Sequence, residues 1–261
     1  MISNIKELAR NIQIIARFAG YRYFKYAFTK NFGLRVVSRP FNNQDSVIIL
    51  APHPDDEVIG CGGALALAAR ASARVGVIYI TNGSHGTTSG KKDSNLIKAR
   101  RREALVGLKV IGKNIRTKFL GFDDGGYRHN DNAAIQIASL IQKEPGFVHV
   151  FTPWYFDDNS DHVEVTKTLL LALNLIDKSQ IKIWQYEVWA PLVANTILPI
   201  GKVASKKVAA IKNHKSQTYC RNYESATLGL NNFRAMAADT KEPCEAFFVT
   251  DVKTIKKIFK L

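Results

Sequence analysis

The decapeptide 51–60, APHPDDEVIG, sets His53 two residues ahead of three consecutive carboxylates, Asp55, Asp56 and Glu57. Like charges this close repel, and the preceding apolar run SVIIL suggests a buried setting, where uncompensated charge is costly. A divalent cation relieves the repulsion, because it becomes the largest local charge. His53 and Asp56, with His162 from the distant stretch NSDHVEV, supply the three nitrogen and oxygen ligands that a catalytic zinc commonly takes while keeping one position for water. The pKa of such a water falls from about 15.7 toward about 7. Asp55, beside the ligands and not needed as one, is then placed to act as its general base. A purely structural reading also exists: Pro54 suits a first helical turn, and acids there complement the helix dipole. That reading accounts for one or two acids, but not for His53 or for the second cluster at Asp161 and His162.

Residues so far apart in the chain need a scaffold that brings them together. From residue 46 onward, strand-like and helix-like stretches alternate. SVIILAPH, RVGVIYITNG, RTKFLGFDDGG, FVHVFTPW and KIWQYEVWAP read as strands. Between them GGALALAARAS, NLIKARRREALVGLKVIG, NAAIQIASLIQKEPG and VEVTKTLLLALNLID read as helices. The alternation predicts an α/β chain with a Rossmann-like three-layer fold and a mostly parallel sheet. Near-continuous apolar strands such as VGVIYI fit burial on both faces. In such folds ligands gather beyond the C-terminal strand ends. The stretches expected there are HPDDE, TNGSHG, DDGG, WYFDDNSDH and EVWAPLVAN, so histidines, acids and asparagines recur along one edge. One domain is expected, with additions at both ends.

Composition narrows the classes further. The 261 residues are 46% hydrophobic and 10% aromatic, which suits a globular core. Cys61, Cys220 and Cys244 are odd in number, scattered and without a CxxC pair, so they predict a reducing compartment and no cysteine-bound zinc. No apolar run reaches the roughly 18 residues of a membrane span, and the N-terminus does not read as a signal peptide. A cytoplasmic protein is therefore expected. The formal net charge of +15 calls for an anionic partner, yet no nucleic-acid motif accompanies it, so nucleic acid is not expected. Within residues 1–45, eight lysines and arginines face only Glu7 and Asp45, and aromatic residues interleave at helical spacing. This basic amphipathic segment predicts a peripheral contact with an anionic membrane, at the inner face. The competing reading is a helix packed on the domain with its basic side in water.

The motifs also resemble a family. APHPDDEVIGCGG is similar to the signature of the PIG-L/LmbE-like zinc-dependent de-N-acetylases, which act on N-acetylglucosamine-type sugars. TNGSHG, RRREALVGLKVIG, LGFDDGGY, DHVEV, YEVWAPLVAN and KKVAAIKNHKSQ follow in the family's order across about residues 46–220. The resemblance implies a deacetylase domain over 46–261, binding Zn2+, with Fe2+ or another divalent ion as alternatives. It implies His53, Asp56 and His162 as ligands and Asp55 as base. Arg100, Glu103 and Asp124 match family positions tied to the substrate or to site architecture. One position departs: where the family has a histidine, this chain has Asn159. An asparagine can donate to an oxyanion but cannot deliver a proton, and Asp161 loses the partner it has in relatives. Asn159 and Asp161 are still expected in catalysis. His85, Tyr155 and His214 are the candidates for the missing acid, His214 assigned to catalysis and His85 to the substrate side with Arg100 and Asp124. Glu57 is expected to support the ligands. The resulting expectation is a metal-dependent hydrolase that removes acetyl from an N-acetylated amino sugar. Its rivals are a two-metal phosphoesterase and a sugar-binding protein whose site has decayed.

Overall fold

The computed structural model describes residues 33–86 and 93–259. Most of the basic amphipathic segment, residues 1–32, lies outside them, and the membrane contact expected of it with them.

Eight strands form one sheet: β1 (Arg35–Val36), β2 (Ser46–Ala51), β3 (Arg74–Thr81), β4 (Arg116–Phe122), β5 (Val148–Pro153), β6 (Ile181–Tyr186), β7 (Thr196–Pro199) and β8 (Cys244–Asp251). Their order is β1-β7-β8-β6-β5-β2-β3-β4. The run β6-β5-β2-β3-β4 is parallel throughout and matches the five strands legible in the sequence. β8 enters antiparallel between β6 and β7, which makes the sheet mixed but mostly parallel. Sequence pattern misses β1 and β7 because two and four residues are too short to show a period. It misses β8 because that strand returns from the C-terminal addition. β1 pairs with β7, and Phe41 is buried, so the described residues before position 46 pack on this sheet.

Alternation along β2 shows how both faces are covered. Val47, Ile49 and Ala51 join one core, and Ile48 and Leu50 the other. The first core includes residues of helices Asp56–Arg70, Ser94–Ile111 and Ala204–Lys212; the second, residues of Asp131–Gln142, Ser160–Asn174 and Val252–Phe259. The chain reverses its winding between β2 and β5, since β3 flanks β2 on one side and β5 on the other. This is the switch point, where an α/β sheet opens a crevice at its carboxyl edge. No helix among the described residues is long and apolar enough to cross a membrane.

The helix after β2 begins at Asp56, so the acidic cluster is its first turn. It kinks at Cys61, whose φ of −140° and ψ of 27° are not helical. Gly60 is required there, because a Cβ would lie 2.2 Å from the Tyr186 ring. Beyond the kink, the N–H groups of Gly63 and Ala64 donate to Glu245 of β8 at 2.7 and 2.8 Å. Lys207 Nζ closes on the same carboxylate at 2.6 Å, and both side chains are buried. Glu245 thus ties the acid-bearing helix to the sheet's antiparallel strand. Replacing Lys207 with methionine leaves that carboxylate buried without its cation. A loss of about 3–5 kcal/mol in urea unfolding is expected.

A candidate metal centre at the strand switch point

The turn after β2 is pinned by Thr81, whose N–H and Oγ1 both donate to the Pro52 carbonyl, at 2.9 and 2.8 Å. His53 and Asp56 then face each other, with Nδ1 3.1 Å from Oδ2. His162 comes from the first turn of the helix after β5, the other side of the switch point. Its Nε2 lies 3.2 Å from the same Asp56 oxygen. Ligand atoms of His53, Asp56 and His162 all fall within 4.8 Å of one another.

A metal fits this group on the evidence of its own polar atoms. The buried Nε2 of His162, facing Asp56, finds no aligned hydrogen-bond partner. A ring nitrogen held against a carboxylate oxygen without an aligned hydrogen bond is arranged to share a cation. The outer nitrogens face carboxylates: His53 Nε2 lies 2.9 Å from Asp124 and 3.4 Å from Asp161, and His162 Nδ1 lies 3.4 Å from Asp157. Acceptors there favour protons on the outer nitrogens and leave the inner lone pairs, His53 Nδ1 and His162 Nε2, for the ion. His53, Asp124 and Asp161 also meet the spacing for a metal group. A neutral imidazole has only one lone pair, however, so His53 serves one ion. Asp161 is moreover occupied, accepting from the N–H groups of Gly125, Gly126 and Tyr127 at 2.9, 3.1 and 3.1 Å. The second group is a support for the first.

The electrostatics match a cage built for positive charge. Burial alone would lower the pKa of His53, yet contacts with Asp124, Asp161 and Asp56 hold it well above its ordinary value. Burial likewise opposes the charge on His162, but Asp56 and Asp157 raise it to about 9. Asp56 responds in the opposite direction: burial pushes it up, and the two imidazoles outweigh that and keep it well below the usual carboxylate range.

Asp55 borders, with His53 and Asp56, a cavity of about 160 Å³. Its backbone N–H donates to Glu57 at 3.0 Å, and its Oδ1 accepts from Arg100 at 3.0 Å. Burial raises its pKa to about 6 against the pull of the Arg100 guanidinium. Arg100 is only 3% exposed and also donates to the Gly83 carbonyl, at 3.1 Å. Asp124 accepts from the backbone of His85 at 2.8 Å as well as facing His53. Arg100 and Asp124, expected to meet substrate, both line the cavity and also brace Asp55 and His53. His85 lies on the cavity wall, as does Asn159. Asn159 caps its helix, with Oδ1 accepting from Asp161 N at 2.9 Å. Asp161 is not left without a partner, as the missing histidine suggested; His53 and three backbone donors take that place.

Two residues weighed as the missing acid do not line the cavity. His214 is 1% exposed, with Nε2 3.9 Å from Glu57, and burial first, then Arg100, lowers its pKa to about 4. A neutral, sealed imidazole behind Glu57 is a core residue. Tyr155 stacks on Phe259, with ring centroids 4.0 Å apart. Glu103 receives both the N–H and the hydroxyl of Ser216. The structure adds residues that the sequence did not single out. Asp157 backs His162, and Trp189, Gln217, Arg221 and Tyr223 line the cavity. The doubled acid in FDDN hinted at the first, whereas nothing in the sequence marked Arg221 or Tyr223.

The fold and site together define a Rossmann-like α/β protein with a buried His–Asp–His group suited to a metal. Residues 48–173 match the PIG-L family model, described as GlcNAc-PI de-N-acetylase. Diacetylchitobiose deacetylase of Thermococcus kodakarensis is 32% identical over 130 residues; the match spans 48% of this chain and 48%, about half, of that protein. Uncharacterized deacetylase YaiS of Escherichia coli is 26% identical over 67% of this chain and 93% of its own length. Among solved structures, the N,N'-diacetylchitobiose deacetylase of Pyrococcus horikoshii superposes with a TM-score of 0.68 at 20% identity. That superposition covers 80% of this chain and 84% of the other, and it shows a shared fold.

If His53 serves a single ion, elemental analysis of the loaded protein should find one divalent metal per chain. Replacing Asp157 with asparagine removes the carboxylate behind His162, and metal affinity should fall about 10- to 100-fold. Chelator competition measures this.

Proposed function

We propose that this chain is a metal-dependent amide hydrolase that removes the acetyl group from an N-acetylated amino sugar, N-acetylglucosamine or a conjugate of it. The observation that carries this reading is the placement of Asp55. Its carboxylate borders the cavity that His53 and Asp56 line and is fixed by Arg100, yet it is not one of the three converging candidate ligands. The PIG-L match and relatives named as deacetylases support a sugar acetamide as the substrate class. A divalent metal held by His53, Asp56 and His162, zinc by donor type with iron(II) as the alternative, supplies a Lewis acid for the acyl oxygen and lowers the pKa of a water.

The protein's own residues account for the proton movements. Asp55 takes the proton of the attacking water, and its pKa of about 6 makes it a stronger base than an ordinary aspartate. Arg100 keeps that carboxylate aimed and ionised. Asn159 spends its carbonyl oxygen on the helix cap, which leaves its amide N–H groups to donate to the developing oxyanion. His85 is the cavity-wall imidazole outside the ligand group, and we assign it to protonate the departing amine. Acetate and a free amino sugar leave. A two-metal phosphoesterase fits less well, since the two candidate groups share His53.

Replacing Asp55 with alanine should lower kcat for acetate release from N-acetylglucosamine conjugates about 10²- to 10⁴-fold with bound metal unchanged. His85→Gln should cost about a hundredfold. Undiminished turnover in the Asp55 variant would sink this assignment.

A further inference from the structure

We propose that Trp189, Arg221 and Tyr223 form a recognition subsite for an anionic group, phosphate or carboxylate, attached to the amino sugar. The proposal rests on the deacetylation reading for the adjoining cavity. That cavity, at about 160 Å³, is smaller than the roughly 300–1,000 Å³ of ordinary ligand pockets. It can take the acetamide and part of one sugar, so the rest of a substrate must lie on the rim.

The rim is assembled from distant segments. Trp189 follows β6, and Arg221 and Tyr223 flank the start of the helix Tyr223–Ala237. Trp189 lines the cavity and remains 41% exposed, so its ring face is open to a ligand. The Arg221 guanidinium lies over its ring, 5.0 Å from the centroid. Arg221 Nη1 donates to the Tyr223 hydroxyl at 3.1 Å, and the Trp189 and Tyr223 rings meet edge to face at 6.2 Å. The arginine is therefore held in place from two sides, which lowers the entropy lost when it grips a ligand.

Charge selects the ligand class. The other basic side chain on the cavity wall, Arg100, is bound to Asp55. Among the described residues Arg221 forms no ion pair and uses one of its five N–H donors. A guanidinium so placed can present a paired fork of donors, the geometry that phosphate and carboxylate accept. Trp189 supplies an apolar face for the sugar ring or its neighbour. A rim built for neutral sugars alone has no need of that cation.

The test uses the metal-loaded Asp55→Asn variant, so that binding is measured without turnover. Calorimetry compares N-acetylglucosamine 1-phosphate, N-acetylglucosamine linked to glucuronic acid, and neutral N,N'-diacetylchitobiose. Adding Arg221→Met should weaken at least one anionic ligand about tenfold or more relative to the neutral one, with Arg221→Lys intermediate because it keeps charge but not the fork. The arm that responds identifies phosphate or carboxylate as the natural group. Equal losses for all three ligands, no loss, or no binding of either anionic sugar overturns the subsite. A separate assay of the wild-type protein keeps the two ideas apart. If the anionic sugars bind through Arg221 but release no acetate, the deacetylation reading fails and the subsite stands.

Discussion

Six acids lie buried in and around the His53–Asp56–His162 group, four of them within 3.4 Å of its two imidazoles, and that concentration of carboxyl groups is the constraint around which the rest of this protein is arranged. Asp55, Asp56, Glu57, Asp124, Asp157 and Asp161 are all nearly sealed from solvent. A buried carboxylate without compensation is far too costly to survive in a folded chain. Each is therefore answered. Arg100 faces Asp55, His53 and His162 converge on Asp56, and three backbone N–H groups converge on Asp161. Glu57 is answered differently: burial raises its pKa to about 8, so at neutral pH it is largely uncharged. A divalent ion held by His53, Asp56 and His162 would complete the compensation.

Meeting that constraint needs a rigid platform, and the kinked helix after β2 provides it. Its first turn carries Asp56, its glycines allow Tyr186 and Ile200 to approach the backbone closely, and its redirected N–H groups land on Glu245. The Lys207–Glu245 pair is therefore part of the active-site architecture although it lies outside the cavity. The strand switch point does the remaining work, because it sets the turns after β2 and β5 side by side.

The departure at Asn159 changes the division of labour more than the geometry. In this chain the position is a helix cap, and the imidazole it lacks is not replaced by His214, which is sealed behind Glu57. His53 takes up Asp161 instead, so the same carboxylate steadies a ligand. On the proposed reading, oxyanion stabilisation and proton delivery fall to separate residues, Asn159 and His85. Specificity moves outward to the rim formed by Trp189, Arg221 and Tyr223.

Much of this was written locally. His53, Asp55 and Asp56 fall within four consecutive positions, and a polar cluster of that density at the end of an apolar strand has few explanations other than an ion. The five parallel strands announced themselves through alternating apolar runs, because burial on both faces leaves a pattern that can be read without coordinates. What the sequence could not decide was set by contacts between distant segments. That Arg100 pairs with Asp55, that His214 packs in the core, and which residues line the cavity depend on packing geometry with no local signature. Strand β8 shows the same limit: it pairs with β6 and β7, and its Glu245 meets helix residues 181 and 182 positions earlier, long-range contacts that only the folded chain makes.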